Sequence, residues 1–321
     1  MPTMQSRAWL LVCCFCLVLF LTSPTILSAQ SLSFVYFKSE IGAGLQDGYT
    51  HARLSDSQHG GITVRIESGD TLLVLVAPDA TSPGAPFIDV YVPNGSINAT
   101  FYTHTIEDTT GTATITATAP GFSSVADQVA VVQPALQLLG LPSTIDVLDP
   151  DDPFRVRVGI PTVSNGGLYA TQKARVGGPG LIATITNSKA SAAQLVKSTI
   201  SGQVVTVAIA PGASDSPMSV ASGGVALDGL TPDTTQVAAA IPGFIQTDLA
   251  TQEVIVEEPS ISFLGFEVEV GAGLRTGQVR ARLSGSAHGG VTVHIESGDT
   301  SLALVTDDPS NPGQTAVDID L

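Results

Sequence analysis

The chain has 321 residues, 43% of them hydrophobic and only 13% charged, with 32 Gly, 20 Pro and a net charge of −16. A length of this size suggests two or three domains. With 13 Lys and Arg against 29 Asp and Glu, no basic stripe exists to neutralise phosphates, which excludes a nucleic-acid binder. The apolar content excludes a disordered chain, and the frequent Gly and Pro exclude a coiled coil or helical bundle.

The first segment is read as a leader rather than as fold. Arg7 is the only charged side chain before Lys38, and an unbroken apolar run extends from Ala8 to Leu21. At 1.5 Å per residue that run is too short for a bilayer core of about 30 Å. Leu27-Ser28-Ala29 supplies the small residues of a cleavage site. Residues 1–29 are therefore expected to be a secretory signal peptide. All three cysteines (Cys13, Cys14, Cys16) and the single Trp9 fall inside it. Loss of Arg7 leaves 12 basic against 29 acidic residues, a net charge of −17 for 30–321. The mature chain is expected to carry no membrane span and to be secreted or held at the cell surface.

Internal repetition dominates residues 30–321. Gly42-Ala43-Gly44-Leu45 recurs as Gly271-Ala272-Gly273-Leu274, an offset of 229, and 24 of the 35 positions from 42 to 76 are identical at that offset. Pro120-Gly121-Phe122 recurs as Pro242-Gly243-Phe244. Three units are expected: 30–135, a divergent 136–259, and 260–321, which aligns with the first only as far as Val92 and reads as a truncated repeat.

The apolar period within each unit is two residues, as in Ile62-Thr63-Val64-Arg65-Ile66-Glu67 and Ala113-Thr114-Ile115-Thr116-Ala117-Thr118. Such alternation puts one strand face on a core and the other in water. Leu72–Val76 and Val204–Ile209 are more fully apolar and read as central strands. His59-Gly60-Gly61, Ser68-Gly69-Asp70 and Pro93-Asn94-Gly95 supply the turns. Short strands at this spacing predict an all-β fold of tandem antiparallel β-sandwiches.

The Gly-Gly-Val-Thr-Val block (289–293), the strand ending in Ser-Gly-Asp-Thr-x-Leu-x-Leu-Val (68–76) and Thr114–Phe122 resemble bacterial Ig-like (Big-type) repeats of secreted and cell-surface proteins. The resemblance covers nearly the whole chain after residue 29. It implies Ig-like sandwiches that act as a spacer, stalk or adhesion region of a larger surface protein. Neighbouring Ig-like modules of the same chain are the implied partners, with a cell-surface or glycan ligand as a further one. No catalytic residues transfer with it.

Candidate chemistry is sparse. Asp146, Asp149, Asp151 and Asp152 cluster beyond the first unit boundary, and carboxylates at such a joint could supply several of the 6–8 oxygens that calcium takes. Asp-Pro turn chemistry is the alternative for them. Gly42–Gly48 looks faintly like a dinucleotide loop, but the spacing is one residue too long and a strand comes next. His59 and His288 repeat, yet one histidine per unit is too few for zinc, so a polar turn role is expected. Glu67, Asp70, Glu296 and Asp299 are local pairs copied between units, unlike a carboxylate pair across a sugar cleft. No enzyme is expected within these residues. The alternatives are a carbohydrate- or ligand-binding module, or accessory repeats of an enzyme whose catalytic domain lies beyond Leu321. Of the aromatics of the first unit (Tyr36, Phe37, Tyr91, Phe101, Tyr102), core packing is expected for the phenylalanines.

Overall fold

The computed structural model describes residues 30–267, 269–277 and 279–321. The expected signal peptide, 1–29, lies outside the described residues. The fold is all-β, with short 3-10 turns as its helical parts.

The first nine strands are β1 (Leu32–Val35), β2 (Glu40–Gly42), β3 (Leu45–Leu54), β4 (Ile62–Ser68), β5 (Val74–Ala77), β6 (Phe87–Val92), β7 (Asn98–Thr105), β8 (Gly111–Thr118) and β9 (Val125–Val132). They form two sheets, ordered β1-β3-β7-β5 and β2-β9-β8-β4-β6. The chain changes sheets between β1 and β2. β1 pairs antiparallel with β3, whereas β2 runs parallel to β9. This is the A-B-E-D and C-F-G order of an immunoglobulin-type sandwich. β6 is added beside β4, and β2 beside β9. One departure is that β5, in the D position, precedes β6 along the chain.

The second unit repeats this plan although its sequence has diverged. Its strands are β10 (Ala135–Leu139), β11 (Thr144–Asp146), β12 (Asp152–Pro161), β13 (Leu168–Thr171), β14 (Lys173–Ala174), β15 (Leu181–Asn187), β16 (Ala193–Val196), β17 (Ser201–Gly202), β18 (Val204–Ile209), β19 (Val225–Gly229), β20 (Asp233–Ala240), β21 (Ile245–Gln246) and β22 (Thr251–Glu257). The sheets are ordered β17-β16-β19-β12-β10-β21 and β11-β22-β20-β15-β18. β11 again runs parallel to the last long strand, β22. The third unit contributes β23 (Ile261–Leu264) paired with β24 (Arg280–Leu283), and β25 (Thr292–Glu296) paired with β26 (Ala316–Asp320).

Two-residue periodicity places the cores. Val64 and Ile66 of β4, Ile115 of β8 and Phe101 of β7 are all fully buried, as are Leu136, Phe154, Ile185 and Leu227 in the second unit. In the third unit the repeat sequence meets less cover. Leu45 is fully buried, whereas its counterpart Leu274 is 74% exposed.

The two apolar runs read as central strands lie at sheet edges. β18 ends its sheet and alternates, with Val205, Val207 and Ile209 inward and Val204 exposed. β5 also ends its sheet, but a loop covers its second face. A Cβ on Gly84 would sit 2.7 Å from Cβ of Leu75. Loop cover, rather than a central position, explains its apolar composition.

Candidate functional site at the joint of the first two units

The Gly42–Leu45 turn connects β2 to β3 and needs glycine at Gly44, where φ is +73°. No helix comes after it, so it is no dinucleotide loop. Instead it receives the second unit. β14 adds to the edge of β3, pairing Lys173 with Gln46 and Ala174 with Leu45. The buried Gln172 side chain spans the outer edge of β2. Its Oε1 accepts from Gly42 N at 2.9 Å, and its Nε2 donates to Glu40 O at 3.0 Å and, more weakly, to Asp47 Oδ2 at 3.4 Å. One carboxamide thus takes the place of a neighbouring strand.

Further bonds surround this contact. Arg175 N donates to Gly44 O at 3.0 Å, and Val176 N donates to Gln46 Oε1 at 2.6 Å. The Arg175 guanidinium forks onto Glu107, Nε to Oε1 at 3.2 Å and Nη2 to Oε2 at 2.7 Å. Such a pair is charge-assisted and fixes orientation as well as contact. Beside it lies His104, wholly buried, with neither ring nitrogen hydrogen-bonded. Burial, helped by the Arg175 charge, pushes its pKa down to about 4. The residues making this joint, Gln172, Arg175, Glu107 and His104, carry no repeat or motif that would have singled them out. Only the Gly42–Leu45 turn did.

The aromatics divide as expected for phenylalanine and differently for tyrosine. Phe101 is fully buried and Phe37 packs against the core. Tyr36, Tyr49 and Tyr91 stand in solvent.

The aspartates at the next joint act in turns. Asp146 Oδ1 accepts from Leu148 N at 2.6 Å, and Asp149 Oδ2 accepts from Asp146 N at 2.9 Å. The other Asp146 oxygen accepts from the Ser284 hydroxyl of the third unit, and Leu148 O accepts from Ala287 N at 2.7 Å. The carboxyl of Asp152 is pushed above its ordinary range by burial and then by Asp149 and Asp151. Asp151 is raised by burial and then by Asp228. Among the described residues, no group of three or more His, Cys, Asp or Glu is disposed to hold a metal ion.

His59 serves its turn. Its Nδ1 accepts from Gly61 N at 3.2 Å and its Nε2 meets Ser96 O at 2.9 Å, which places the proton on Nε2. His288 accepts from Gly290 N in the same way. Asp70 Oδ1 accepts from Leu72 N, and Glu67 pairs with Arg65. Asp299 accepts from the amide and hydroxyl of Ser301, which hold its carboxyl below the usual range. Asp70 and Asp299 thus shape turns, and Glu67 pairs along its own strand.

No family profile and no curated protein matches the chain. Among solved structures, it is similar to the Yersinia pseudotuberculosis adhesin InvE, at 16% identity over 71% of this chain and 58% of that one, with a TM-score of 0.27. Domains 5–6 of the S-layer protein SbsC match at 16% identity over 71% of this chain and 97% of theirs, TM-score 0.25. The Escherichia coli adhesin FdeC matches at 12% identity over 71% and 63%, TM-score 0.23. The chain thus spans less than two thirds of InvE and FdeC. Likeness of this degree assigns no family and no function. Among the described residues, no helix is long and apolar enough to cross a membrane.

Proposed function

We propose that the chain is a non-enzymatic extracellular region of a larger bacterial surface or secreted protein, acting as a semi-rigid spacer or adhesion stalk. The observation that carries this reading is the joint of the first two units. Strand pairing through β14, the Gln172 carboxamide and the Arg175–Glu107 fork together bond the second unit to the first at several separated points. A contact of that kind resists rotation about any single linker bond. Pro134 lies against Gly42 and fixes φ in the linker, but the hydrogen-bonded contact is the larger part. The acidic surface would keep such an array soluble and self-repelling.

The test is a distance distribution between paired spin labels at Ser96→Cys and Ser198→Cys, on exposed loops of the two units. Residues 30–321 contain no other cysteine. A single narrow peak is expected. A broad distribution, spanning many ångströms, would overturn the stalk reading.

A further inference from the structure

We propose that Tyr36, Tyr49 and Tyr102, with the groove between β3 and the Thr171–Lys173 segment, form a binding site for a neutral saccharide. This goes beyond the stalk reading and does not depend on it.

The first observation is backbone conformation. Tyr36 and Tyr49 sit at φ +58° and +68°. That region favours glycine and is unusual for a bulky side chain. In the third unit the position equivalent to Tyr36 is Gly265, at φ +70°. The repeat therefore keeps the left-handed turn and accommodates glycine there, while the first unit holds a tyrosine in it. Tyr49 is the unpaired residue of a bulge in β3, where the register with β7 shifts between Gly48 and Thr50. Bulges of this kind re-aim a side chain. Backbone strain that serves no packing purpose points to function. Packing does not account for these two, since Tyr36 is 69% and Tyr49 61% exposed.

The second observation is arrangement. Tyr36 and Tyr49 both stand edge-on to the His51 ring, at centroid distances of 5.9 and 4.9 Å. His51 is fixed by Thr100 Oγ1 at 2.9 Å from Nδ1. Tyr102 lies across the backbone of β3, so close that a Cβ on Gly48 would fall 1.8 Å from its ring. Tyr49 and Tyr102 then border a groove of about 210 Å³ whose polar lining includes Asp47, Gln172 and Lys173. The third unit keeps Gly277 for Gly48 but carries Gln278 and Arg280 in place of Tyr49 and His51. The aromatic set belongs to the first unit and is not a by-product of the repeat.

The chemistry selects the ligand. Aromatic faces beside a carboxylate and an ammonium suit a pyranose ring, whose C–H faces stack and whose hydroxyls both donate and accept. One acid and one base among the groove residues leave the lining neutral, which favours an uncharged sugar over an anionic one. The groove's size suits one ring, with Tyr36 further along the stripe available to a second.

The chain from residue 30 onward has five tyrosines, three of them in the site, and no tryptophan, so tyrosine emission responds to binding there. The experiment screens it on an array of neutral glycans and titrates the best hits by tyrosine emission. Tyr36→Gly and Tyr49→Gly are compared with Tyr91→Ala, an exposed tyrosine on the other sheet. Glycine suits both left-handed positions, so these variants keep the fold, which melting checks. Saturable binding is expected, weakened at least tenfold by Tyr49→Gly, severalfold by Tyr36→Gly, and unchanged by Tyr91→Ala. A silent array, or equal affinity for wild type and Tyr49→Gly, overturns the proposal. Competition by a proline-rich peptide that itself binds, with no glycan binding, would reassign the site to peptide and overturn it equally.

Discussion

Gln172→Ala isolates the joint between the first two units. The wild-type side chain is almost wholly buried and satisfies Gly42 N–H and Glu40 C=O, which point outward from the unpaired edge of β2. Truncation leaves the Gly42 amide buried without an acceptor. An orphaned buried donor costs about 1–3 kcal/mol, and the Glu40 carbonyl, on an exposed residue, adds less because water can reach it. The expected loss is therefore about 2 kcal/mol. It should fall on the coupling between units rather than on either core. Urea unfolding followed by tyrosine emission, together with calorimetry, would show it. Wild type should unfold its first two units in one transition. Gln172→Ala should lower the midpoint and begin to separate the two. Gln172→Glu should do no better, because a carboxylate can accept from Gly42 but cannot donate to Glu40 and lies against Asp47. A Gln172→Ala midpoint and transition width equal to wild type would refute the account of the joint.

His104 predicts acid sensitivity. Its pKa is about 4 in the fold against 6.5 unfolded, so the unfolded chain binds the proton more tightly and stability falls as pH drops from 6.5 to 4. Arg175 opposes protonation and Asp79 favours it, burial being the larger cause. About 3 kcal/mol should be lost across that window, and His104→Leu should flatten the profile of unfolding free energy against pH. Parallel wild-type and variant profiles would disprove it. Gly48→Ala forces a methyl into the Tyr102 ring and should cost about 1–3 kcal/mol, read from the same urea melts. Asp152→Asn should raise the melting temperature at pH 7, because it removes a carboxylate held above its ordinary pKa by burial and by like charges. That gain should shrink as the wild-type group protonates at lower pH. Chelator should leave the melting temperature unchanged if Asp146 and Asp149 serve turns, and a fall on adding chelator would establish calcium at 146–152.

The sandwich was legible because its cause is local. Ile62–Glu67 and Ala113–Thr118 alternate every second residue, and that alternation alone decides which face is buried. The His-Gly-Gly turns were legible too, since Gly60, Gly61, Gly289 and Gly290 all take positive φ. Features set by contacts distant in sequence were not legible. Whether β5 and β18 lie at an edge depends on which strands arrive beside them, and a loop around Gly84 can cover an apolar face as well as another strand can. The joint has the same character. Gln172 lies 130 residues from Gly42, in the divergent second unit. Tyr36 looks like any strand aromatic until its backbone angle is known. Of the aspartate cluster, composition shows the charge. Only geometry shows that Asp146 has both carboxylate oxygens engaged.

The two joints share a construction that explains why one turn in each unit is chemically unusual. In the first unit the turn between β2 and β3 is Gly42–Leu45; in the second, the turn between β11 and β12 holds Asp146 to Asp151. Both sit at the same place in the fold, and both receive the next unit along the chain. The first receives Gln172 to Val176, and the second receives Ser284 to Ala287. The receiving surfaces differ in kind. Glycine lets the first turn bring its backbone close to a strand and a carboxamide, giving paired strands and a partly buried ion pair. The second offers a carboxylate to a hydroxyl and one carbonyl to one amide, and Gly285 must be glycine because a Cβ would fall 2.2 Å from Leu148 O. Counted in directional bonds among the described residues, the second joint is the weaker. Bending of the array should therefore concentrate between the second and third units, and Ser284→Ala should loosen it further while leaving the first joint untouched.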